Sequence, residues 1–146
     1  METDTIDLLD QICENARFGK KMLAALIKES EDGSFRNALA EHFARYHSVL
    51  NEAKELLHAD NAACAKRKRP MEGIGKFAHM ALSMNLLIDK TSSHMAEMVM
   101  QGSLSNITDL ASGMRTFAGA DQEATALGRK FVEQEQENIG RMIDYL

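Results

Sequence analysis

The chain has no tryptophan, a single proline (Pro70) and two tyrosines. It also lacks stretches in which Val, Ile, Thr and Tyr alternate with period two, which excludes a substantial β-sheet. No apolar run reaches the roughly 18 residues that cross a bilayer. The N-terminal METDTIDLLDQICE is acidic and has no positively charged leader, so a cytoplasmic protein without membrane contact is expected. Cysteine is scarce. Cys13 and Cys64 stand far apart and in no CxxC or Cys/His spacing, so no disulfide or zinc site is expected; Cys13 reads as a small hydrophobe and Cys64 as a loop residue. Positive charge is in deficit, with 17 Lys and Arg against 22 Asp and Glu and a net charge of -5. That balance argues against nucleic acid as a partner. The one basic run, Lys66 to Arg69, has no interleaved aromatics and reads as a solvated loop. No Ser/His/Asp order and no glycine-rich phosphate loop is present, so no catalytic activity is expected.

What is present is helical periodicity. The 146 residues, 45% of them apolar, suit one domain spanning the whole chain. A first helix is expected over about Thr5 to Glu29, with Ile6, Leu9, Ile12, Ala16, Gly19, Met22 or Leu23, and Leu26 on its apolar stripe. Thr3 or Asp4 would cap it, and Gly19 would admit a neighbouring helix. Gly33 and Ser34 read as a C-cap glycine followed at once by an N-cap serine, making the next helix an antiparallel neighbour. That second helix, about Phe35 to Ala59, carries Phe35, Leu39, His42, Tyr46, Val49, Ala53 and Leu56 at alternating steps of four and three. The composition shifts over Asp60 to Arg69. A long central helix is then expected from Ile74 to Met100, striped by Ile74, Phe77, Ala81, Met84, Ile88, Met95 and Met98.

Near Gly102 the apolar residues change phase: Leu104, Ile107, Ala111, Met114 and Phe117 lie about 200° from the earlier stripe at 100° per residue. The spacing predicts a break there, with Ser103 as N-cap of a short extra segment. The last helix, about Gln122 to Tyr145, places Ala124, Leu127, Phe131, Glu135, Ile139, Met142 and Leu146 along one side, and Gly128 and Gly140 mark further close contacts. The economical architecture is an all-α, up-down four-helix bundle with a short extra helical segment before the last helix. A three-helix array within a larger oligomer is the alternative.

Three residues interrupt the apolar stripes: His42, Tyr46 and Glu135. In an antiparallel bundle Tyr46 and Glu135 meet near mid-helix, forming with His42 either a hydrogen-bonded cluster that fixes register or a metal or acid/base site. His94 and Glu97 stand three apart, the reverse of the Glu-x-x-His pair of carboxylate-bridged di-iron bundles. A metal site built from His42, Glu135, His94 and Glu97, holding iron or another divalent ion, is therefore the alternative to a bundle with no cofactor. Met80, Met84, Met95, Met98, Met100 and Met114 read as core, or as a groove for an apolar ligand or partner helix.

Two stretches, IDKTSSHMAEMVMQG (Ile88 to Gly102) and FVEQEQENIGRMIDYL (Phe131 to Leu146), resemble segments of a group of small, uncharacterised helical proteins of anaerobic and spore-forming bacteria. Their expected shape is ferritin-like. The resemblance implies a ferritin-like four-helix bundle and names no activity. The functional expectation is a non-catalytic bundle acting by association, with itself as a dimer or with a protein partner of unknown identity; a ferritin-like metal-binding bundle is the alternative.

Overall fold

The computed structural model of the chain describes residues 2–59 and 89–146. Among them lie four α-helices and no strand: α1 (Thr3–Glu29), α2 (Gly33–Ala59), α3 (Ser92–Thr116) and α4 (Gln122–Ile143). Helices α1 and α2 form one hairpin, α3 and α4 another, and the two hairpins pack into a four-helix bundle. The junctions set the directions. Asp4 at the start of α1 accepts from Gly119 N, just past α3, at 2.8 Å, and Ser92 Oγ at the start of α3 donates to Asp32 between α1 and α2 at 3.3 Å. Helix α1 therefore runs opposite to α3. Tyr145 beyond α4 meets Ser34 at the start of α2, so α2 runs opposite to α4. The expected up-down order holds within each hairpin. Between hairpins α2 and α3 run the same way, which is the direction pattern of ferritin-like bundles.

The core is one apolar cluster, with Leu8, Leu9, Ile12 and Leu23 from α1, Phe35, Leu39 and Val49 from α2, Met95, Val99 and Leu110 from α3, and Phe131 and Met142 from α4. The stripes read for α1 and α2 match the buried faces closely, although Leu57 is buried and Leu56 only partly. Gly19 is used as expected: a Cβ there would stand 2.6 Å from the Tyr46 ring, so glycine lets that ring lie against the α1 backbone. Gly128 likewise faces Met114, whereas Gly140 faces open space and marks no contact.

Several boundaries differ from expectation for identifiable reasons. Helix α1 starts at Thr3 after Glu2, whose side chain makes no capping bond, and Asp4, inside the first turn, accepts from Gly119 N instead. Gly33 is the first residue of α2 rather than a C-cap. Asp32 does the capping, its Oδ1 accepting from Ser34 N at 3.0 Å and Phe35 N at 3.3 Å. The larger correction concerns α3. No break occurs at Gly102 and Ser103, and there is no separate short segment, since α3 runs unbroken to Thr116. The non-helical point falls earlier. Asp89 accepts from Thr91 N at 2.9 Å and Thr91 Oγ1 accepts from His94 N at 3.2 Å, an Asx turn followed by an N-cap that starts α3 at Ser92. The central helix expected over Ile74 to Met100 is therefore interrupted at 89–91, and its part over 74–88 lies outside the described residues, as do the basic run Lys66 to Arg69, Cys64, Met80 and Met84. Met95 and Met98 are buried in the core, and Met100 and Met114 pack against it partly buried, so these four form no open groove.

Candidate functional site: a buried carboxylate held by four donors

The polar centre of the bundle is Glu135 on α4, which is 0% exposed. Helix geometry puts it on the same face as Phe131 and Met142, so its side chain points into the core. An ionised carboxyl cannot remain there without partners. It has four, drawn from three helices. On Oε1, His42 Nε2 lies at 3.1 Å and Asn138 Nδ2 donates at 2.9 Å. On Oε2, the Tyr46 hydroxyl donates at 2.7 Å and Asn106 Nδ2 at 2.9 Å. A carboxylate can only accept, so the His42 hydrogen sits on Nε2. His42 and Tyr46 are each 2% exposed, their rings are 4.7 Å apart, and Tyr46 packs edge-on against Phe131 at 5.6 Å.

The network continues to α1. Asn15 Nδ2 donates to Asn106 Oδ1 at 2.9 Å and to Asp109 Oδ2 at 2.8 Å, while Gln11 Nε2 donates to the Asp109 carbonyl at 2.9 Å. The carboxylates at both ends fix the amides between them. Asn15 must present its nitrogen to Asp109, so Asn106 turns its oxygen to Asn15 and its nitrogen to Glu135. At the α4 end, Arg45 Nη1 reaches Glu137 at 3.0 Å and Asn138 Oδ1 at 3.5 Å. Every helix contributes, and the polar chain crosses from one hairpin to the other.

The electrostatics follow from this cradle. Burial pushes the Glu135 carboxyl up, but the hydrogen bond and charge of His42, joined by the Asn106 and Tyr46 bonds, outweigh it and hold the group below its ordinary value. Burial, the charge of Glu135 and the bond to it push the Tyr46 hydroxyl well above the usual tyrosine range, so Tyr46 remains a donor.

His42, Tyr46 and Glu135 thus come together within hydrogen-bonding distance. His94 and Glu97 do not join them. They face solvent near the start of α3, 3.9 Å apart. Asn106, Asn138 and Asn15 are members that sequence reasoning missed. Asn138 sits three residues from Glu135 on the same helix face, and Asn106 continues the spacing of Met95, Val99 and Ser103, so both carried a positional signal.

A ferritin-like shape raises the question of iron, and the donor set answers it. A metal ion needs converging lone pairs, whereas N–H and O–H groups converge on both oxygens of Glu135 and fill its accepting positions. Among the described residues no three His, Cys, Asp or Glu side chains lie where they could share an ion. The residues around Glu135 do not fit a divalent metal. The buried His42 Nδ1 is a single orphaned nitrogen, and among the described residues no further His, Cys, Asp or Glu joins it and Glu135 around one site.

No helix among the described residues is long and apolar enough to cross a membrane. No family model matches the chain, and no curated protein matches it. Among solved structures, the crystal structure of the E. coli stress protein YciF superposes with a TM-score of 0.73 at 14% sequence identity, covering 99% of this chain and 94% of that one. At that identity the likeness is one of fold, and it agrees with a ferritin-like helical bundle.

Proposed function

We propose that this chain is a non-catalytic helical bundle that acts by association, first of all with a second copy of itself. The observation that supports this reading is the saturation of Glu135. The carboxylate best placed for chemistry already accepts four hydrogen bonds in a site closed to solvent, leaving no lone pair for a substrate, a metal or a proton in transit. Its role is to hold two hairpins in register. What the molecule offers to the outside is surface, including the exposed apolar side chains Leu104, Ile143 and Leu146. A stress-related role is what the name of the E. coli protein suggests, and an association bundle is compatible with it.

The test is sedimentation equilibrium over about two decades of concentration, beside elemental analysis of protein purified without chelator. The expected result is a mass that rises above that of one chain and a metal content far below one equivalent. A single-chain mass at every concentration contradicts the reading. One or two equivalents of iron, manganese or zinc, lost on His42→Ala or Glu135→Ala, replaces it with the metal-binding alternative.

A further inference from the structure

Helix α3 is unusual in what it turns outward. Its buried face holds Met95, Val99, Ser103, Asn106 and Leu110, while Leu104 is 59% exposed, Ala111 is exposed and Ile107 is only partly buried. At 100° per residue, Met100, Leu104, Ile107, Ala111 and Met114 fall within about 40° of one line, roughly 120° round the helix from the centre of the buried face, with Met100 and Met114 at the two ends partly buried against the core. Their steps are four, three, four and three, the spacing of a coiled-coil seam two heptads long. Most of that stretch is neutral, and the one charge within it, Asp109, turns to the bundle side and accepts from Asn15. No charged residue lies between Glu97 and Asp109, in a chain of which 27% is charged.

Resting on the association reading above, we propose that this flank of α3 is the contact surface for a second copy of the chain, the two α3 helices packing antiparallel about a two-fold axis between Leu104 and Ile107. A two-fold contact sets the same patch against itself, so a charged patch would repel its twin in a protein of net charge -5, whereas this one brings no like charges together. The ends of the seam choose the direction. With Leu104 of one copy over Ile107 of the other, Met100 meets Ala111, and Glu97 falls beside Arg115 of the second copy, giving opposite charges at both ends. A parallel pairing sets Glu97 against Glu97. Both residues are exposed. A seam of two heptads lies at the small end of specific interfaces, so the dimer is reversible and concentration-dependent.

Analytical ultracentrifugation of the full chain tests this with three variants. Leu104→Asp is expected to weaken dimerisation by about tenfold or more, and Glu97→Arg to weaken it less and mainly at low salt. Glu97→Arg combined with Arg115→Glu is expected to restore it. All three positions are exposed, so helix content, and thermal unfolding at concentrations where the wild type is monomeric, should be unchanged, and the restoring double variant separates lost contact from lost fold. A wild-type dimer indifferent to Leu104→Asp overturns the seam and leaves association standing through another surface. A double variant no better than Glu97→Arg alone overturns the antiparallel pairing. A chain that never dimerises removes both this proposal and the reading beneath it.

Discussion

Helices α2 and α3 run in the same direction through one bundle, yet they solve burial in opposite ways. Helix α2 buries what its sequence advertises: Phe35, Leu39, Val49, Ala53 and Leu57 at helical spacing, with His42 and Tyr46 as the polar exceptions. Helix α3 buries Gly102, Ser103, Asn106 and Gly113 beside its apolar residues and turns Leu104 outward. The difference lies in what each face meets. Gly113 lies against the Gln11 side chain, where a Cβ would overlap Gln11 Oε1, and Asn106 has to link Asn15 to Glu135. Apolarity selects the buried face only where nothing more specific is required. Close approach and hydrogen bonding outrank it along α3.

The comparison breaks most severely at Glu135, where the two patterns join. Glu135→Ala leaves four buried donors without an acceptor and opens a cavity, and it is expected to cost about 3–5 kcal/mol, read as the shift in denaturant midpoint at constant slope. Asn106→Leu sharpens the contrast. By apolarity alone this change improves the core, but it strips a donor from Glu135 and an acceptor from Asn15, so a loss of about 2 kcal/mol is expected in the same assay.

The pH profile separates the two ends of the Tyr46–Glu135 bond. Glu135 is held below its ordinary value of 4.5, so its contribution to stability is complete above that pH and is lost as pH falls through the lower native value. Tyr46 is held well above 10.0, so its contribution is complete below pH 10.0 and is lost as pH rises through the higher native value. Thermal unfolding should therefore show a plateau between these limits with a decline on each side, and Tyr46→Phe should flatten the alkaline decline. The smallest effect is expected outside the core: Leu104→Gln should change the stability of the folded chain by under about 0.5 kcal/mol, whereas Leu110→Ala, on the buried face of the same helix, should cost about 2–5 kcal/mol.

Those contrasts also mark how far the sequence could be read. The all-helical class and the faces of α1, α2 and most of α4 followed from apolar periodicity, because in those helices burial and apolarity coincide at Leu9, Ile12, Leu39, Val49 and Phe131, and the first hairpin followed from the short link at Gly33 and Ser34. His42, Tyr46 and Glu135 were legible as polar residues at core positions. Asn106 was not, since the outward run of Leu104, Ile107 and Ala111 drew the stripe to the wrong side and suggested a break at Gly102. The true start of α3 was written in DKTSSH, where Asp89 and Thr91 hold the backbone amides of Thr91 and His94, a local signal weaker to the eye than the methionines around it. The parallel course of α2 and α3 had no local signal, because it depends on which helix ends meet.

The most direct measurement is a carbon-detected NMR titration of the Glu135 side-chain carboxyl in the folded protein. A carboxylate held by four donors should stay ionised as pH falls through 4.5 and titrate below it, if at all before unfolding. A Glu135 that takes up its proton above that value would mean that burial outweighs the cradle, and the account of a closed, saturated centre would be wrong.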